Sequence, residues 1–215
     1  MAAAGFNICI VGRTKSKIDQ KLFEIASKYK VKTRAIIFDF AVFCTINDYR
    51  EKIANQLKDI DIAMLYLNAG YLQVGAFKDQ TDQDTQSTIA CNTLQPIYTV
   101  KVLLDQLLAR KKRSALVALS SVAGTVPLAG MVQYSCTKTF VDFLAQGLSY
   151  ELKDRIDCLS WRPGYVATNM TALNKPVNGA RMITADVAVK GMLTDLGYEN
   201  VTRGVARHDL MGVGL

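Results

Sequence analysis

Hydrophobic and polar positions fall into two alternating kinds of block along the chain. Short apolar runs recur at residues 6–11, 33–38, 62–67, 116–120 and 156–161. Each runs into turn chemistry: Gly12, Asp39, Asn68-Ala69-Gly70, Ser121 and Pro163-Gly164. Runs of this length, bounded this way, predict buried strands. Between them the apolar positions are three and four residues apart. Ile18, Leu22, Ile25 and Ala26 give a helix over 15–30. Further helices are predicted over 46–57, from Thr81 or Asp82 to about 112 with a bend before Pro96, over 133–152 and over 184–196. A last strand is expected at 203–208. Apolar strands alternating with helices of a dozen residues or more predict an α/β fold with a parallel sheet covered on both faces. Ligands of such sheets sit beyond the carboxyl ends of the strands, where the turn residues just named fall.

Composition narrows this reading. At 215 residues and 23.7 kDa, one domain spanning 1–215 is expected. Half the residues are hydrophobic, enough for a sizeable core, and 21 % are charged, which argues against disorder. Cys9, Cys44, Cys91, Cys136 and Cys158 are odd in number and widely spaced, with no C-x-x-C. They predict buried thiols in a reducing compartment, with no disulfide framework and no metal site. His208 is the only histidine, and nothing places it near a nucleophile. The net charge of +7 favours anionic small ligands or an acidic surface, or is simply that of a moderately basic protein. The densest basic run, Arg110-Lys111-Lys112-Arg113, closes an apolar helix and reads as a solvated helix end. No nucleic-acid partner is expected, because no aromatic residues interleave with it. No apolar run approaches the ~20 residues of a membrane span, and the first residues lack the basic stretch of a signal peptide.

The candidate chemistry lies in 118–138. Ser121 ends a strand, and Tyr134 and Lys138 stand four residues apart on a helix. That spacing puts phenol and ammonium on one helix face. An ammonium there is expected to lower the phenol's pKa, and Ser121 to hold a substrate oxygen. Taken alone the Tyr-x-x-x-Lys pair is a weak signal, since roughly one arises by chance in a chain this rich in both residues. Its coincidence with the other strand-end residues is what gives it weight.

Those residues resemble the short-chain dehydrogenase/reductase family. The resemblance rests on LNAG at 67–70, Asn92 within the long helix, LSS at 119–121, YSCTK at 134–138 and RPGYVAT at 162–168. YSCTKTFVDFLAQGLSYEL, VATNM, NKP and the terminal RHDLMG are more narrowly similar to a branch holding type 12 17β-hydroxysteroid dehydrogenases and very-long-chain 3-oxoacyl-CoA reductases. The resemblance implies a Rossmann-like, doubly wound, three-layer sheet. It implies reduction of a ketone, of long-chain 3-oxoacyl-CoA or steroid type. Tyr134 would be the general acid, Lys138 its partner and a contact of the nicotinamide ribose, and Ser121 the group orienting the carbonyl. Asn92 would hold a relay water. Asn68, Ala69 and Gly70 would lie beside the adenosine. Pro163, Gly164, Val166 and Thr168 would lie at the nicotinamide, and Asp39 at the adenine unless it only caps its strand. Arg13 follows Gly12 with no acid before Asp19, so NADPH is expected over NADH, with no metal.

The resemblance also implies a location on the cytosolic face of the endoplasmic reticulum, or the cytosol if the chain is complete as given. It implies a homodimer through the helices starting near Asp82 and Gln133, whose Leu103, Leu107, Phe140, Phe143 and Leu144 fit an interface or a core equally. The loop 173–181 would line the substrate pocket. One departure stands out. The family's first strand and its T-G-x-x-x-G-x-G loop have no counterpart in the chain. Weak or absent NADPH binding is therefore expected, and the strands flanking the missing one should be left unpaired or close up on each other. Two readings remain: a ketone reductase, or a truncated, non-catalytic homologue acting at most as a partner of a full-length relative.

Overall fold

The computed structural model describes residues 1–171 and 182–205. The predicted alternation is present. β1 (Ile8–Gly12), α1 (Lys15–Tyr29), β2 (Thr33–Ile37) and α2 (Ile46–Lys52) come first. β3 (Met64–Leu67), α3 (Asp82–Ile89), α4 (Gln95–Leu108), β4 (Ser114–Leu119), α5 (Val132–Glu151) and β5 (Ile156–Trp161) follow. Short β6 (Val166–Ala167) and β7 (Ile183–Thr184), α6 (Ala185–Asp195) and β8 (Val201–Thr202) complete the order.

β3, β4, β5 and β8 form a parallel four-stranded sheet in that order. β4 lies between β3 and β5, with Ser114 to Ala118 all buried. Alternate residues of β4 serve opposite faces, as a pleat dictates. Leu116 and Ala118 pack with Val100 and Leu107 of α4 and Val141 and Ala145 of α5. Val117 packs the other way, with Leu159, Trp161, Ala188 and Met192, under α6. The result is a three-layer, Rossmann-like arrangement. Its register sets Leu67 beside Ala118 and Leu119 beside Trp161. The carboxyl ends of β3, β4 and β5 therefore meet along one edge.

The sheet is interrupted. β1 pairs with β2, β3 pairs with β4, and no ladder joins β1 to β3 among the described residues. The two halves are joined by side chains instead: Val11 of β1 and Leu65 of β3 pack on one cluster with Ile36, Phe38, Tyr49, Ile53 and Leu103. Of the two outcomes expected for strands beside a missing neighbour, the unpaired one is found. Its cost shows in burial. Ile8, Ile10 and Val11 are half-buried and Cys9 is exposed, although an inner strand would be covered on both faces.

Several boundaries differ from the sequence expectation. The helix predicted over 46–57 ends at Lys52 and continues as a 3-10 turn over Ala54–Leu57. The long helix from Asp82 is not continuous, because Ala90–Leu94 is a π turn. Pro96 explains it. Proline offers no N–H to the carbonyl four residues back, which is Asn92, and its ring would collide with that oxygen. The helix widens, and the Gln95 amide donates to Ala90 five residues back. Among the described residues the last strand is Val201–Thr202, earlier than the expected 203–208; residues 206–208, His208 among them, lie outside the described residues. The thiols are not all buried. Cys91 and Cys158 are, but Cys9 and Cys136 are exposed, because Cys136 falls on the outer side of α5.

Candidate active site

The carboxyl edge of the sheet carries the site. Ser121 leaves the end of β4 and caps a short 3-10 turn, Val122–Gly124, its Oγ accepting from the Ala123 amide at 3.1 Å. Tyr134 and Lys138 lie in the first two turns of α5. Three contacts fix the turn against the helix. Ser120 Oγ donates to the Lys138 carbonyl at 2.8 Å, and Thr139 Oγ1 to the Gly124 carbonyl at 2.7 Å. Gly124 rests on the helix backbone: a Cβ there would stand 2.8 Å from the Lys138 carbonyl carbon and 3.0 Å from the Thr139 nitrogen. Neither atom can yield without moving the helix, so a side chain at 124 would push Ser121 away from Tyr134. The Ser121 hydroxyl neighbours the Tyr134 phenol closely enough to favour its ionised form.

Lys138 is 2 % exposed. Its Nζ donates to the Leu119 carbonyl at 2.6 Å and lies 5.6 Å from the centre of the Tyr134 ring. Burial lowers its pKa to about 8. The expected lowering of Tyr134 by Lys138 is not found. The ammonium faces the ring rather than the hydroxyl, and burial raises the phenol above its ordinary value, with only the neighbouring Ser121 hydroxyl acting against it.

Asn92 is 1 % exposed and fully engaged. Its Oδ1 accepts from the Tyr71 amide at 2.8 Å; its Nδ2 donates to the Tyr71 carbonyl at 2.9 Å and to Thr137 Oγ1 at 3.0 Å. Thr137 in turn donates to the Tyr134 carbonyl at 2.8 Å. Asn92 thus stitches the end of β3 to α5, and its amide protons are spent on protein partners. A relay water would be left with the remaining lone pair of Oδ1 or with backbone groups of the π turn. Gly70 sits beside this junction, where a Cβ would lie 3.6 Å from Lys138 Nζ and 3.8 Å from Asn92 Oδ1.

Ser121 and Tyr134 open onto a cavity of about 710 Å³. Asn68, Pro163, Gly164, Val166 and Thr168 line it, with Leu72, Leu128, Met131, Tyr165 and Met170 making much of its wall apolar. Arg13, Asp39, Ala69 and Gly70 do not line it. Asp39 accepts from the Ala41 amide at 2.9 Å, the capping arrangement that the sequence left open. Arg13 is exposed, one residue before Thr14, the N-cap of α1. Loop 173–181, expected along the pocket, lies outside the described residues. Among the described residues no group of side chains could hold a metal ion. Sequence reasoning missed the bond network around Asp142 and Arg162, though an acid four residues beyond Lys138, on the inward side of α5, was a visible signal.

Comparison with known proteins agrees with this geometry. The family model described as short chain dehydrogenase matches residues 1–178. The chain belongs to the short-chain dehydrogenase family. By that membership it is an NAD(P)-dependent oxidoreductase, of a kind that reduces ketones. A relative from Macaca fascicularis, named very-long-chain 3-oxoacyl-CoA reductase, is 33 % identical over 99 % of this chain and 67 % of its own length. A 7beta-hydroxysteroid dehydrogenase structure superposes with a TM-score of 0.85 at 21 % identity, covering 98 % of this chain and 81 % of that one, which supports the fold. A short-chain dehydrogenase from Sphingobium yanoikuyae in complex with NADPH has a TM-score of 0.79 at 26 % identity, covering 90 % and 75 %.

Proposed function

We propose that this short-chain dehydrogenase reduces a ketone on a bulky apolar substrate, of long-chain 3-oxoacyl-CoA or steroid type, with Tyr134 as the general acid. The observation that carries this reading is that Ser121 and Tyr134 share the wall of a largely apolar cavity, with the Lys138 ammonium held behind the Tyr134 ring. The name of the Macaca fascicularis relative supports the acyl-CoA class.

The residues present fit the nicotinamide end of NADPH. Lys138 is a buried ammonium that donates to the Leu119 carbonyl, leaving donor capacity toward a ribose, and Pro163, Gly164, Val166 and Thr168 share the cavity with Tyr134. Asn68, Ala69 and Gly70 follow β3 toward the adenosine side. Asp39 is the weaker candidate there, since one of its oxygens is occupied by its own turn. At the far end Arg13, Lys15 and Lys17 surround the start of α1, whose N-cap makes no side-chain bond, a suitable seat for a 2′-phosphate. The pyrophosphate is the weak point, since the chain contains no T-G-x-x-x-G-x-G loop.

When bound, NADPH supplies the hydride. Ser121 holds the ketone oxygen, and Tyr134 transfers its proton to that oxygen as negative charge builds there. Because burial keeps the phenol protonated, reduction suits neutral pH without further tuning. Lys138 then favours reprotonation of Tyr134, through a relay that Asn92 and the π turn would help to hold.

NADPH affinity is expected to be weak and to depend on Arg13. Titration followed by nicotinamide fluorescence should show NADPH binding better than NADH, and Arg13→Ala should weaken NADPH by about tenfold, the loss of one charge-assisted hydrogen bond, while leaving NADH unchanged. Equal effects on both would mean that Arg13 does not face the 2′-phosphate. The interrupted sheet favours a second reading, in which the chain is a non-catalytic partner of a full-length relative. Complete absence of dinucleotide binding would favour that one.

Assembly and location are extensions of the same proposal. Leu103 and Leu107 are core residues at 1 % exposure, whereas Phe143 at 70 % and Phe140 at 38 % stand on the outer face of α5 and suit a homodimer contact. Association with the endoplasmic reticulum follows the relatives' branch. No helix among the described residues is long and apolar enough to cross a membrane.

A further inference from the structure

The face of α5 that carries Lys138 continues one turn on to Asp142, a carboxylate at 3 % exposure in the middle of the molecule. Two of its three side-chain partners, Ser160 and Arg162, belong to the end of β5 and the loop after it. Arg162 reaches it with two parallel bonds, Nε to Oδ1 and Nη2 to Oδ2, both 2.6 Å. Ser160 Oγ donates to Oδ1 at 2.5 Å, and Gln146 Nε2 to Oδ2 at 2.8 Å. The carboxylate is therefore saturated, and the guanidinium is held in the fork geometry that only arginine offers.

Arg162 is the residue immediately before Pro163-Gly164. Its own amide donates to the Thr202 carbonyl of β8 at 2.7 Å, and the next carbonyl, that of Pro163, accepts from the Val122 amide at 3.1 Å. Trp161, one residue earlier, receives the Ser120 amide on its carbonyl at 2.8 Å. One ion pair thus ties together α5 with its Tyr134 and Lys138, the turn of Ser121, and the loop that lines the cavity.

A buried ion pair adds little net stability, because desolvation offsets its attraction. What it fixes is geometry. We propose that Asp142 is a positioning residue: through Arg162 it holds the Pro163-Gly164 loop against the cavity shared with Ser121 and Tyr134. This rests on reading that cavity as the ketone-reduction site. It goes further by giving a role to a residue that touches neither the cavity nor the reacting atoms. No other charged side chain bonds to the pair among the described residues.

The chain offers its own reporter. Trp161 is its only tryptophan, lines the same cavity and is 7 % exposed. Acrylamide quenching of its fluorescence, well below the melting temperature, reads the loop directly and needs neither cofactor nor turnover. Three proteins are compared with wild type. Asp142→Asn keeps the shape and removes the charge. Asp142→Leu with Arg162→Met replaces the pair by apolar groups and should restore stability. Leu107→Ala is a control that destabilises the core between α4, β4 and α5 without touching the loop.

Quenching should rise severalfold in Asp142→Asn and in the double variant, and stay at the wild-type value in Leu107→Ala. Where turnover is measurable, kcat should fall about tenfold in the first two, as for one lost charge-assisted hydrogen bond, with the double variant melting near wild type. Unchanged quenching in Asp142→Asn overturns the proposal. So does a double variant whose regained stability brings wild-type quenching back, since the pair would then serve stability alone. If no protein turns over a ketone, the functional reading fails, while the quenching still decides the role of Asp142.

Discussion

Tyr134→Phe is expected to lower ketone reduction by roughly 10²- to 10⁴-fold, the usual contribution of a positioned general acid, while leaving the fold intact. Phenylalanine keeps the ring in its buried place under Lys138 and removes only the hydroxyl. Ser121 keeps the Ala123 amide. The stability cost should be at most about 1 kcal/mol, the worth of one net hydrogen bond. The pH profile carries further information. Burial raises the phenol, so the proton needed for reduction is present throughout the neutral range. Wild-type reduction should therefore be flat on that account from pH 6 to 9, failing only where the raised phenol ionises. A wild-type rate that rises and falls around pH 7 would point to a different acid. Comparable turnover by Tyr134→Phe would remove Tyr134 from the mechanism.

Lys138→Met should separate function from stability in opposite directions. Lys138 titrates near 8 in the fold against 10.5 for an ordinary lysine, because burial disfavours its charge. At pH 7 the folded protein therefore carries a destabilised cation. At ~1.4 kcal/mol per pKa unit the penalty is roughly 3 kcal/mol. Methionine removes it but leaves the Leu119 carbonyl without its donor, a loss of about 1–2 kcal/mol. The variant should be the more stable by about 1–2 kcal/mol, raising the melting temperature by ~2–8 °C for a chain this size. The sign across pH is definite. Between pH 8 and 10.5 the unfolded chain binds more protons at this site than the folded one, so wild-type stability gains from it as pH rises through that window. Lys138→Met lacks that gain, so the two curves should cross within the window, leaving wild type the more stable by about 1–2 kcal/mol near pH 10.5. Turnover should fall about 10²-fold or more, an example of a site held against its own stability. A variant that is less stable at pH 7, with a gap that does not change between pH 8 and 10.5, would mean the ammonium is better accommodated than its burial suggests.

The parts of the fold legible beforehand were those written in local pattern. β4 is a nearly continuous apolar run because both its faces are covered, and the sequence shows that directly. Ser121, Tyr134 and Lys138 were legible because a strand end and a helix turn fix their spacing. Pro96 marked a bend, but only its clash with the carbonyl of Asn92 makes that bend a π turn. The β1–β3 interruption needed a comparison with relatives, since nothing local to either strand says which neighbour it lacks. The direction of the Tyr134 pKa was misjudged because helix spacing places two side chains on one face without saying which atoms meet. Asp142 and Arg162 lie twenty residues apart on different elements, so the pairing appears only once α5 lies against β5.

The most direct test of the account is a single-turnover experiment with the 215-residue protein in excess over a long-chain 3-oxoacyl-CoA, at millimolar NADPH. The account predicts NADPH oxidation matching the ketone one for one, with the 3-hydroxyacyl-CoA as product. Dinucleotide binding with no alcohol product from either an acyl-CoA or a steroid ketone would contradict it, leaving a site whose proton donor is in place but whose reaction is lost.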